Sequence, residues 1–152
     1  MEHEEYMRQA LELARQAMAE GEVPVGCVIV RDGAVVGRGR NRRETAQTAL
    51  GHAELEAIAQ ACRTLGGWRL AGCALYVTLE PCPMCAGAIL NARIAAVRYG
   101  AKEELSGCCG SVLNLFEERF NHHPRIYRGP LEPQCQKILQ DFFLDLREDG
   151  EN

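Results

Sequence analysis

The chain has 152 residues with 17 basic and 21 acidic side chains, a net charge of −4, so it lacks the overall basic footprint that many nucleic-acid binders carry. At 47% hydrophobic and 25% charged it is not a disordered sequence, and its length predicts one domain over 1–152 with a core of its own. The acidic start Met1-Glu2-His3-Glu4-Glu5 lacks the features of a secretory leader, and no apolar run approaches the ~20 residues of a membrane span, so the expectation is a cytoplasmic protein with no membrane partner.

From about Glu4 to Glu20, Met7, Leu11, Ala14 and Met18 recur at helical spacing, and Gly21 stops the helix. Val25 to Arg31 reads as a buried strand. Asp32-Gly33 then predicts a hairpin into Ala34-Val35-Val36. From Gly37 to Gly51 the chain turns polar and carries Arg38, Arg40, Asn41, Arg42 and Arg43. The ordinary reading of these arginines is a solvated loop; the alternative is a patch that meets phosphates. A second helix is predicted from His52 to Leu65, with Leu55, Ile58, Cys62 and Leu65 buried and Gly66-Gly67 closing it. Ala74 to Leu79 reads as a central strand. Pro81 is expected to open a helix lasting to Ala92, since the first turn tolerates proline. Ile94 to Tyr99 reads as a strand, Gly107-Cys108-Cys109-Gly110 as a turn, and Ser111 as the cap of a short helix through Phe116. Ile126 to Arg128 is a last short strand. Leu131, Cys135, Ile138, Leu139, Phe142 and Leu146 mark a C-terminal amphipathic helix. Strands alternating with helices after a hairpin predict an α/β fold with a mixed sheet and helices on both faces.

In a reducing compartment the eight cysteines read as metal ligands, catalytic groups or buried thiols, and not as a disulfide framework. Two stretches hold the chemistry: His52-Ala53-Glu54 and Pro81-Cys82-Pro83-Met84-Cys85. Cys82 and Cys85, three apart at a helix start, present both sulfurs the same way, where the helix dipole favours thiolate. A redox pair and two inert thiols are the other readings. One histidine and two cysteines leave zinc one ligand short of a closed structural set, with a position free for water. Glu54 is then a free carboxylate for proton transfer, or simply a first-turn acid on the helix dipole. Glu80, a rival carboxylate, suits a structural role. Cys108 and Cys109 read as small turn residues; extra metal contacts and redox sensitivity are the alternatives.

On these motifs the chain resembles the zinc-dependent deaminases. Thr78-Leu79-Glu80-Pro81-Cys82 running into Met84-Cys85-Ala86-Gly87-Ala88 is similar to the bacterial tRNA-specific adenosine deaminases. Gly110-Ser111, Asn121-His122 and Phe142-Phe143 with Arg147 extend the likeness. The resemblance implies a cytidine deaminase-like, three-layer α/β/α sandwich on a mixed five-stranded sheet. It implies one zinc per subunit, held by His52, Cys82 and Cys85, with Glu54 as the catalytic proton carrier. Asn41 and the Ala53 N–H would contact the base. It further implies a homodimer acting on tRNA, through the arginine tRNA anticodon arm, with adenosine converted to inosine at the wobble position. Candidate RNA contacts are Arg42, Arg43, Lys102, Arg119, Asn121, His122, His123, Arg125, Phe143 and Arg147. Family members often carry Asp-Pro-Thr-Ala where this chain has Thr48-Ala49-Leu50-Gly51. That change keeps a second function in view, deamination of a free nucleobase or nucleoside such as guanine or cytosine. A third reading is a non-catalytic zinc module closed by Cys108, Cys109 or His122.

Overall fold

A computed structural model describes residues 2–151, with side chains described through 148. Helix α1 spans Glu2–Ala19 and leads to the hairpin of β1 (Gly26–Arg31) and β2 (Ala34–Arg40). The order continues α2 (Ala53–Leu65), β3 (Ala74–Leu79), α3 (Pro83–Ala92), β4 (Ala96–Ala101), a short 3-10 turn at Leu115–Glu117, β5 (Arg125–Arg128) and α4 (Glu132–Glu151). The sheet order is β2-β1-β3-β4-β5. β1 is antiparallel to both neighbours, while β3, β4 and β5 are parallel. Four strands therefore run one way and β1 runs the other.

The mixed five-stranded sheet and its flanking helices form the cytidine deaminase-like α/β fold. Alternation along β1 divides the core. Cys27 and Ile29 join Ala53, Ala57, Ala86 and Ile89 on the α2/α3 face. Val28 and Val30 join Met7, Leu11, Cys135 and Ile138 on the α1/α4 face. Asp32 and Gly33 both have positive φ (50° and 77°), the two-residue turn that Asp-Gly favours between twisted strands.

Five local expectations are corrected. β2 does not end at Val36 but runs to Arg40, through a Gly-Arg alternation that lacks the usual strand residues. Its glycines have a packing reason. A Cβ on Gly37 would stand 2.3 Å from the Ala57 carbonyl oxygen, and one on Gly39 2.1 Å from that of Ala53. Helix α2 thus lies directly on strand backbone. For the same reason its buried residues are Ala53, Glu54, Ala57 and Ala61, while the larger Leu55, Ile58, Cys62 and Leu65 are half-buried. Helix α3 begins at Pro83 with Cys82 as its N-cap, so the first-turn proline is Pro83 and not Pro81. Ser111 caps nothing: Asn114 Oδ1 accepts the Phe116 N–H at 3.1 Å and starts the 3-10 turn. β4 starts two residues late because Arg93, in the left-handed region (φ 62°), ends α3 and leaves Ile94 bonded to Ile89.

Candidate metal and catalytic centre

The parallel direction of β2 and β3 brings the starts of α2 and α3 to one edge of the sheet. His52 is the N-cap of α2 and Cys82 the N-cap of α3, both in extended backbone. Cys85 lies in the first turn of α3 and is fully buried. His52 Nδ1 stands 3.6 Å from Cys82 Sγ and 3.5 Å from Cys85 Sγ. The three donor atoms all lie within 4.8 Å of one another. A tetrahedral ion with Zn–S of about 2.3 Å and Zn–N of about 2.0 Å separates its N and S donors by roughly 3.5 Å. The donor set therefore fits zinc in both chemistry and spacing. Cys108, Cys109 and His122 are not part of this group, which among the described residues contains only the three donors. His122 Nε2 is instead 2.6 Å from the Ile94 carbonyl.

A hydrogen bond with Cys85, and then His52, pulls Cys82 down to about 4. The same hydrogen bond, with burial, pushes Cys85 up. The hydrogen bond to Cys82 raises His52. A cation held between these donors would favour their deprotonated forms, which is how metal binding couples to thiol ionisation.

Glu54 follows His52 by two positions, a spacing that points side chains apart in mid-helix. Because His52 is a cap, outside the helix proper, both residues nevertheless line one cavity of about 240 Å³. Glu54 is only 4% exposed, and burial pushes its carboxyl up to about 7. Ala53, at the first helical position, also lines the cavity, and its N–H has no intrahelical acceptor. Asn41, at the end of β2, donates from Nδ2 to the Val23 carbonyl at 3.3 Å, while its buried Oδ1 has no partner among the described residues.

The candidate RNA residues divide by location. Arg43, exposed, and Phe143, 45% exposed, line the same cavity. Arg42 pairs with Glu56 at 3.5 Å beside it. Lys102 is exposed next to the cavity-lining Glu103. Arg147 shares a hollow on α4 with Phe143. Arg119, Asn121 and His122 line a separate hollow against α3. Arg125 is exposed on β5, and His123 Nδ1 meets the Phe116 carbonyl at 3.0 Å.

Two supporting carboxylates hold the loops around the cavity. Glu22, 2% exposed, accepts the N–H groups of Glu44 (3.2 Å) and Thr45 (2.6 Å) and so ties down the loop after Asn41. No sequence pattern marks it. Glu80 accepts from the backbone of Glu103 (3.0 Å), Cys109 (2.8 Å) and Ser111 (3.1 Å) and from the Ser111 hydroxyl. It is structural, as expected, and it sets the 102–111 loop that brings Glu103 and Ser106 to the cavity. Burial alone would raise the Glu80 carboxyl, but these hydrogen bonds outweigh it and hold the group below the usual range. A depressed carboxyl stabilises the fold fully above its unfolded pKa, about 4.3, and that contribution is lost as pH falls through the folded value. Glu80→Gln is expected to cost about 1–3 kcal/mol at neutral pH and to lose less than the wild type on acidification. Urea midpoints measured from pH 7 downward check this; parallel curves would refute it.

Comparison with known proteins agrees with this geometry. The family model for MafB19-like deaminases matches residues 1–147. The chain belongs to that deaminase family. It is 48% identical over 143 residues to the tRNA-specific adenosine deaminase of Bacillus subtilis (strain 168), covering 93% of this chain and 89% of that one. A structure from studies of A-to-I editing by tRNA:A34 deaminases at the wobble position of transfer RNA superposes with a TM-score of 0.85. It is 43% identical, over 89% of this chain and 99% of that one. The guanine deaminase of Bacillus subtilis superposes at 0.65 with 33% identity, over 97% and 95% of the two chains. As a member of this family the chain is a hydrolytic deaminase.

Proposed function

We propose that the chain hydrolyses adenosine to inosine at the wobble position of tRNA. One observation carries the chemistry: three donors at tetrahedral spacing beside a buried carboxyl, in a cavity with an unpartnered amide oxygen. The relatives supply the substrate, since the shared sequence runs through nearly the whole of both chains.

His52, Cys82 and Cys85 would hold one zinc per subunit. Zinc held there supplies Lewis acidity that brings a water's pKa toward neutrality. Glu54, with its carboxyl near 7, can accept a proton from the attacking water and give it to a ring nitrogen. The carboxylate then takes the second proton, from the newly formed hydroxyl, and passes it to the amine, so the C–N bond breaks, ammonia leaves and a carbonyl remains. Ala53 N–H and Asn41 hold the ring edge. A donor on the bound nucleoside that satisfies Asn41 Oδ1 removes an unpaired buried acceptor, an effect of about 1–3 kcal/mol. Phe143 offers an apolar wall, and Arg43 a charge for the flanking phosphate.

The finer reading is a cytoplasmic homodimer, with 1–152 as one domain, that acts on the anticodon arm of arginine tRNA. Exposed Val112, Leu113 and Phe120, around a 3-10 turn that packs on α3, supply apolar surface for a second copy. Among the described residues no helix is long and apolar enough to cross a membrane. The likeness to a guanine deaminase favours a second reading, deamination of a free base. Inosine sequencing of tRNA after incubation, beside ammonia release from guanine, cytosine and their nucleosides, decides between them. Inosine at the first anticodon position of arginine tRNA is expected. Ammonia from a free base with no inosine in tRNA would select the second reading.

A further inference from the structure

Beside β2, between α1 and α2, lies a groove of about 470 Å³ that the deamination chemistry does not use. Arg38, Arg40, Arg42 and Arg63 line it, in a chain whose net charge is −4. The acidic groups near it are already engaged. Glu20 pairs with Arg40 at 2.6 Å, and Glu56 pairs with Arg42 at 3.5 Å while accepting the Arg40 N–H at 3.2 Å. Arg38 and Arg63 are exposed, and among the described residues neither has an ion pair; the same holds for Arg43 at the catalytic cavity. The groove thus keeps a net positive charge that continues, through Arg42 and Arg43, to the cavity mouth.

The edge of the sheet is not open to another strand here. The Arg38 N–H donates to Gln60 Oε1 at 2.7 Å, and the Arg40 N–H to Glu56. What the groove offers is guanidinium forks, whose planar donors match phosphate oxygens. Helix α2 starts at the cavity and rises 1.5 Å per residue, so Arg63 stands roughly 16 Å along it from His52. Several successive phosphates occupy such a span, at roughly 3.4 Å of rise apiece in a stacked strand.

We propose that this groove binds consecutive backbone phosphates of the RNA strand flanking the deaminated nucleotide, with Arg38 and Arg63 as the contacts. The proposal rests on the reading of the substrate as tRNA. It makes no base contact, so it supplies register and affinity but not sequence choice.

The test compares wild type with an Arg38→Ala/Arg63→Ala double variant. An Arg8→Ala/Arg15→Ala variant, with both changes on the exposed side of α1, serves as an equal loss of charge elsewhere. Binding of an arginine tRNA transcript is measured across a salt series, and inosine formation at saturating RNA. For two phosphates on a single strand the slope of log Kd against log salt becomes shallower by about 1.4 in the Arg38/Arg63 variant. Wild type then loses about sevenfold more affinity than the variant between about 50 and 200 mM salt. The maximal rate stays within about twofold, since the change removes only uniform binding. The Arg8/Arg15 variant should follow wild type. An unchanged slope, or an equal change in both variants, overturns the groove while wild type still makes inosine. A wild type that neither binds nor edits tRNA instead overturns the substrate reading, and the groove with it.

Discussion

Glu54→Gln is expected to lower the rate of deamination by about 10²- to 10⁴-fold with zinc content and fold unchanged. The amide keeps the shape of the buried side chain but cannot carry a proton. Burial is what fits the carboxyl for proton transfer. At about 7 it accepts and releases a proton at nearly equal cost near neutral pH. The loss should therefore appear in single-turnover rates, with RNA affinity little changed. Metal analysis of the same protein separates two roles. A variant that keeps zinc and loses the rate supports proton transfer. An unchanged rate removes Glu54 from the mechanism.

Cys85→Ala is expected to abolish both zinc and activity, with the residual rate about 10³-fold or more below wild type. Among the described residues the site has three candidate donors, so losing one leaves two, and Cys85 is the deepest of them in the core. The protein should also melt earlier, because a ligand that binds only the folded state stabilises it by mass action. Cys108→Ser and Cys109→Ser provide the contrast. Neither residue belongs to the donor group, so both variants should keep about one zinc per chain, as counted by mass spectrometry under native conditions. Zinc retained in Cys85→Ala, or lost in Cys108→Ser, would refute the assigned ligand set.

The candidate donor group was legible in the sequence because its chemistry is local. Cys82 and Cys85 sit within one turn, and His52 precedes a helix that its own periodicity announces. Whether His52 and Glu54 could meet was not legible, since it depends on His52 being a cap, a matter of one backbone conformation. Glu22 was invisible for a different reason. It is an acidic residue before an apolar strand, and only the return of the 42–51 loop gives it two N–H groups to hold. The end of β2 was misread because Gly37 and Gly39 look like loop residues until a helix is laid across them. The helix stripe on α2 failed through the same contact: size predicts burial only where there is room for size, and here alanine is all that fits.

That close contact of α2 with Gly37 and Gly39 has a consequence for how this enzyme can change. The helix capped by His52 is spaced from the sheet by backbone alone, so almost any side chain at Gly39 would push that candidate donor out of place. Variation is then channelled elsewhere. The 42–51 and 102–111 segments reach the cavity from outside this contact and are each tethered by one carboxylate. In a library of variants, survivors should cluster in these two segments. New substrates can be sampled there while the reaction itself is inherited unchanged.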